Sequence, residues 1–151
     1  NNILYKDGIK MGEDLLFNLE YANYASNYEY ITQPLYKYNV ETVGSALKLT
    51  RLSYIHDYTQ IYNYLLTYYS EKKFEKYKDV VYFMNGMFMN LAGADYDLKH
   101  PFIEEFEKSQ LYTDISKASL TSKKLKLKQW FIVKHIYRNR FMKEFVKRVF
   151  I

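Results

Sequence analysis

From Ala46 to Ile151 the chain meets one proline, Pro101, and two glycines, Gly86 and Gly93. These residue types interrupt helices, and their scarcity over about a hundred residues, with Lys, Leu, Tyr and Phe plentiful, restricts the segment to long helices with few breaks. All 151 residues include only two prolines and five glycines, and 48% are apolar. That is enough for one sizeable core and too short to require two full domains. The 18 tyrosines suit a thin, partly wet core, because a tyrosine buries its ring and leaves its hydroxyl at the edge. With no cysteine, disulfides and thiolate chemistry are excluded. No apolar run reaches the ~18 residues of a membrane span, and the first residues lack the layout of a signal peptide. The expected location is cytoplasmic, with a peripheral place at the inner face of a membrane as the further option.

Charge is distributed unevenly. Residues 121–151 hold ten Lys or Arg against one acid, Glu144, a net +9, whereas residues 1–120 hold twelve bases against sixteen acids, a net −4. The basic character belongs to the C-terminal tail alone.

Periodicity predicts a first helix from about Glu13 to Asn27, with Leu15, Leu16, Leu19 and Ala22 on its apolar side. The alternating stretch YEYITQPLYKYN, broken by Pro34, predicts two short strands, residues 28–32 and 35–39. A loop at Val43-Gly44-Ser45 ends this part. Beyond it, Tyr54, Tyr58, Ile61 or Tyr62, Leu65 and Tyr68 or Tyr69 form one helical stripe. A further helix over about residues 71–91 carries Phe74, Tyr77, Val81, Met84 and Phe88 and closes at Gly93-Ala94. A shorter one follows Pro101, with Glu104 and Glu105 early, and the last runs from about Ser122 to the C-terminus. The fold class expected is therefore mainly α, a helical bundle with a small two-stranded β element near the N-terminus. The divisions expected are residues 1–45 and a helical extension over 46–151.

The adjacent acids Glu13 and Asp14 have an ordinary explanation, since carboxylates in a first helical turn are stabilised by roughly 0.3 to 1 kcal/mol through the helix dipole. Their surroundings suggest another. The block MGEDLLFNLEYA, followed by ITQPLYKYN and then Ser45, resembles the second half of the catalytic domain of family 2 glycosyltransferases over residues 1–45. The resemblance implies a GT-A fold and inverting transfer from a nucleotide-diphosphate sugar to a glycan or lipid-linked acceptor in bacterial polysaccharide biosynthesis. It puts Asp14 in the place of the general base that deprotonates the acceptor hydroxyl, with Glu13 supporting it and Tyr36, Tyr38 and Ser45 on the acceptor side. The family's donor-binding half, with the Asp-x-Asp that holds magnesium or manganese, has no counterpart before Asn1. The expectation is thus a C-terminal part that binds no cofactor itself and is inactive alone, its first ~45 residues docking on the helices or pairing with a second copy as a homo-dimer. Asp95-Tyr96-Asp97 lies behind the GED block and reads as a loop, and His56, His100 and His135 are too scattered for a metal site.

The tail leaves three readings open. On a helical wheel, Phe141, Met142, Phe145, Val146 and Val149 cover one arc, and Arg140, Lys143, Glu144, Lys147 and Arg148 the other. Packing on the bundle with a solvated basic face comes first. Lying on an anionic membrane surface through Arg140, Lys143, Lys147 and Arg148 comes second. Nucleic acid comes last and is not expected, because nothing else in the chain suggests a recognition module. The rival to the transferase is a non-catalytic helical module that binds a protein partner or a membrane surface.

Overall fold

The computed structural model describes residues 3–37, 51–69, 74–95 and 97–150. The chain divides into two units, residues 1–49 and 50–151.

In the first unit a single helix, α1, spans Glu13–Tyr24. It starts behind Gly12, whose φ of 86° lies in the left-handed region that glycine enters without a Cβ penalty. Phe17 stacks on Tyr5 at 4.7 Å and on Tyr21 at 6.4 Å, and Lys6 pairs with the buried carboxylate of Glu20 at 3.0 Å. These contacts hold the preceding segment along the helix. After Ala25 the chain is irregular through residue 37.

Here the expected β element fails. No strand exists among the described residues, and residues 28–37 hold neither strand nor helix; residues 38 and 39 lie outside the described set. The reason is physical. A two-stranded ribbon is marginal unless one face is covered, and Tyr28, Tyr30, Ile31, Leu35 and Tyr36 are all exposed, so neither set of alternate side chains has a face to bury against.

The second unit is all-helical among its described residues. Its elements are α2 (Arg51–Tyr68), α3 (Lys76–Gly93), α4 (Pro101–Lys108), α5 (Gln110–Lys117), α6 (Lys123–Val133), one 3-10 turn (Ile136–Arg138) and α7 (Arg140–Phe150). Helix α3 is the hub, packed by α2, α5, α6 and α7. Its buried residues Val80, Phe83, Met84, Met87, Phe88 and Leu91 are spread widely around the helix, as a helix with neighbours on several sides requires. The sequence-based stripe is met at Phe74, Met84 and Phe88, which are buried, and missed at Tyr77, which is exposed, and at Val81, which is half-buried. At the α2–α3 crossing Gly86 admits the ring of Tyr58, whose Cε2 would lie 2.9 Å from any added Cβ.

The expected helix after Pro101 is two helices. Ser109 ends α4 and caps α5, its hydroxyl oxygen accepting from the amide of Tyr112 at 3.2 Å. The expected continuous last helix is also broken, at Lys134-His135, into α6, the 3-10 turn and α7. His135 takes φ 51°, left-handed, and its amide bonds back to the carbonyl of Ile132 at 3.0 Å. This is the helix stop usually made by glycine, and it costs roughly 1 to 2 kcal/mol with a side chain present.

Candidate functional site

The break at His135 sets the position of α7. Around it, Glu107 of α4 receives bonds from the hydroxyl of Tyr137 and from Nε and Nη2 of Arg138, and His135 Nδ1 stands 3.1 Å from its Oε1. On the other side of the imidazole, Nε2 lies 3.0 Å from the hydroxyl of Tyr112 on α5. Burial alone would raise the carboxyl of Glu107, but the bonds from Arg138 and Tyr137 and the charge of Arg138 outweigh it and hold the group below the usual carboxylate range. Tyr137 is fully buried; burial, and then its bond to Glu107, push its hydroxyl upward. Such a network, with each polar atom partnered, fixes the short turn between α6 and α7.

Two more contacts seat α7 itself. Asn139 Oδ1 accepts from the amide of Met142 at 3.1 Å, an N-terminal cap. Lys143, only 7% exposed, donates its ammonium to the carbonyl of Ala94 at 2.7 Å, just past the end of α3. With Val146 buried and Met142 half-buried, the inward side of α7 is Met142, Lys143 and Val146.

The apolar arc is wider than the part that packs. Phe141, Phe145 and Val149, four residues apart and so in one row along the helix, are 80%, 56% and 57% exposed. Arg148 borders that row, and Arg140 and Lys147 stand exposed farther round the helix. Of the four cations expected on a membrane surface, Arg140, Lys147 and Arg148 are at the surface, while Lys143 is turned inward. Periodicity could not show this, because the four-carbon stem of lysine can cover apolar surface and deliver its charge to a carbonyl.

In the first unit, Glu13, Asp14 and Tyr36 come together with Tyr5, Lys10, Met11 and Gly12 around a shallow depression of about 510 Å³. Asp14 is exposed, and its Oδ1 accepts from the amide of Leu15 at 2.8 Å, so it contributes to the start of α1. Tyr38 and Ser45 lie outside the described residues. Among the described residues no group of three His, Cys, Asp or Glu side chains is arranged to hold a metal, and no helix is long and apolar enough to cross a membrane.

No family model, curated protein or solved structure matches the chain. The likeness to family 2 glycosyltransferases is overturned on the fold. A GT-A domain is built on a twisted sheet whose strand ends carry the nucleotide-sugar site, and the described residues form helices without a strand. The GT-A fold, the enzyme class and the transfer reaction, with the roles assigned to Asp14 and Glu13 as its base and support, therefore fall. What the fold defines is a small helical bundle with an exposed amphipathic helix on one side.

Proposed function

We propose that the chain is a non-catalytic helical module that binds an anionic membrane surface through α7. The observation that carries this reading is the row Phe141, Phe145 and Val149, left in solvent while Met142 and Val146 of the same helix turn inward. An amphipathic helix that presents Phe beside Arg and Lys suits the boundary between headgroups and acyl chains. The magnitudes are adequate: each side chain of this type contributes roughly 1.5 to 3 kcal/mol if fully removed from water. Each cation near an anionic leaflet adds ~1 kcal/mol. Charge favours an anionic leaflet over an uncharged docking face: Arg148 borders the exposed row, and Arg140 and Lys147 stand exposed farther round α7, against the single acid Glu144 on that helix. A peripheral place on the inner, anionic face of a membrane is part of the same proposal. Nucleic acid has less support: the exposed rings of Phe141 and Phe145 share their row with the aliphatic Val149, which suits insertion among acyl chains better than stacking on bases.

The reading is tested by co-sedimentation with vesicles. The full chain should pellet with phosphatidylserine-containing vesicles and stay in the supernatant with pure phosphatidylcholine, and the binding should weaken with added salt. Equal partitioning to both vesicle types, or to neither, would refute it.

A further inference from the structure

On the flank of α7 away from the exposed apolar row lies a cleft of about 600 Å³, bounded by Ala94, Asp95 and Leu98 on one side and by the 3-10 turn and α7 on the other. Its chemistry is mixed in a specific way. Arg140, Lys143 and Lys147 approach from α7, and the carboxylates of Asp95 and Glu144 stand in the same lining. Arg138 also borders it, but its guanidinium is committed to Glu107 and, through Nη1 at 3.3 Å, to the carbonyl of Leu98. Arg138 is thus a wall that holds the two sides of the cleft in place.

The cations differ in how much they can offer a ligand. Lys143 is fixed by the carbonyl of Ala94 and defines the inner end. Lys147 stands 3.9 Å from Glu144, a loose pair at the protein surface that contributes little. Arg140 has no acidic partner among the described residues, and it presents the planar fork that grips phosphate oxygens in pairs. Two adjustable cations can hold one phosphate. The two carboxylates would repel a bare anion but would accept hydrogen bonds from hydroxyl groups carried on the same molecule. A volume of 600 Å³ is several times larger than a phosphate needs and is in the range of small-ligand sites.

We infer that this cleft binds a phosphate ester of a polyol, with Arg140 and Lys147 on the phosphate and Asp95 and Glu144 on the hydroxyls. This deepens the membrane reading and rests on it for the lipid-borne source. The rows Phe141-Phe145-Val149 and Arg140-Lys147 run along one helix about 10 Å across, separated by Glu144 and Arg148. A lipid-borne ester reaches the cleft from that leaflet when its headgroup extends across this strip. A free polyol phosphate would use the same contacts without a membrane.

The experiment compares the full chain with the double variant Arg140→Gln and Lys147→Gln; both positions are exposed, so the fold should be retained, as circular dichroism would verify. Two vesicle sets of equal surface charge are used, one with phosphatidylserine and one with phosphatidylinositol phosphate, and soluble inositol phosphate is titrated calorimetrically without vesicles. The native chain is expected to favour the phosphoinositide vesicles by about tenfold, and the double variant to show a ratio near one. General electrostatics cancels in that ratio. Saturable binding of the soluble ester, weakened about fivefold or more by the variant, also supports the cleft; without a vesicle preference it assigns the free ester as the source. Equal affinity for the two vesicle sets together with no soluble binding would overturn the inference. A double variant Phe141→Ser and Phe145→Ser separates the two proposals: if it binds phosphatidylserine vesicles as the native chain does, the membrane reading fails, and the soluble titration still decides the cleft.

Discussion

Arg138 holds Glu107 with two nitrogens, Nε at 3.0 Å from Oε1 and Nη2 at 2.6 Å from Oε2, across 31 residues of sequence. The pair joins α4 to the turn before α7, and so it decides where the exposed face of α7 stands. Replacing Glu107→Gln removes the charge and at least one acceptor position while keeping the shape. The expected cost is about 1 to 3 kcal/mol, because Tyr137 and Arg138 are left imperfectly partnered in a part-buried setting. Thermal denaturation should show a midpoint several degrees lower. An unchanged midpoint would mean the network does not hold the turn.

The same carboxylate gives a pH dependence of definite sign. Glu107 and Asp114 are both depressed: at each, burial acts upward and is outweighed, at Glu107 by Arg138 and Tyr137 and at Asp114 by bonds from Tyr62, Lys76 and Gln110. A carboxyl depressed in the folded chain contributes stability that is fully present above its unfolded pKa, about 4 to 4.5. That stability is lost as pH falls through the folded values. Asp79 acts oppositely, raised by burial and by Glu75, so its contribution fades as pH rises through its folded value. Denaturation midpoints should therefore fall on acidification below about pH 4.5, and Glu107→Gln should make that fall shallower. An acid limb of equal slope in the variant would remove Glu107 from the effect.

At His135 the backbone and the side chain make separable contributions. His135→Gly and His135→Ala both lose the contacts to Glu107, Tyr112 and Tyr137, but only glycine is at ease at φ 51°. The glycine variant should be the more stable of the two by roughly 1 kcal/mol, measured by urea denaturation. Equal stability would imply that the left-handed stop is not retained.

Much of the helical layout is legible in the residues, and the misses have particular causes. Pro101 opens α4 as expected, at the first helical position, where it loses no hydrogen bond. The α6 start behind Ser122 was also readable, although the serine side chain makes no capping bond. The stop at His135 was not, because the usual signal is glycine and here a histidine occupies the left-handed position, held by partners 23 and 28 residues away in sequence. Ser109 was missed as a cap because no glycine or proline marks the boundary. The strands were misread because alternation in residues 28–32 says nothing about whether a covering face exists. On α7 the amphipathic pattern was plain, yet a wheel cannot tell how much of an apolar arc a neighbour covers. It assigned Lys143 to the surface and did not distinguish packed Val146 from exposed Phe141.

Tyrosine plays a larger part in the core than edge-seeking hydroxyls would suggest. Tyr62 is fully buried, edge-on to Phe83 at 5.3 Å, and its hydroxyl donates to Asp114 at 2.8 Å. Tyr62→Phe should cost about 1 to 3 kcal/mol by leaving that carboxylate short of a donor in a buried position. A chemical denaturation curve shifted with unchanged slope would show the loss; an unshifted midpoint would argue that Lys76 and Gln110 suffice.

The central claim is that the row at Phe141, Phe145 and Val149 leaves water at an anionic bilayer, and a reporter at residue 145 tests it most directly. In a chain carrying Trp130→Phe and Phe145→Trp, the single tryptophan stands on that row. Its emission should move to shorter wavelength on adding phosphatidylserine vesicles, stay unchanged with phosphatidylcholine vesicles, and be quenched by brominated acyl chains. Emission that stays at its aqueous position while the protein co-sediments with the anionic vesicles would contradict the account.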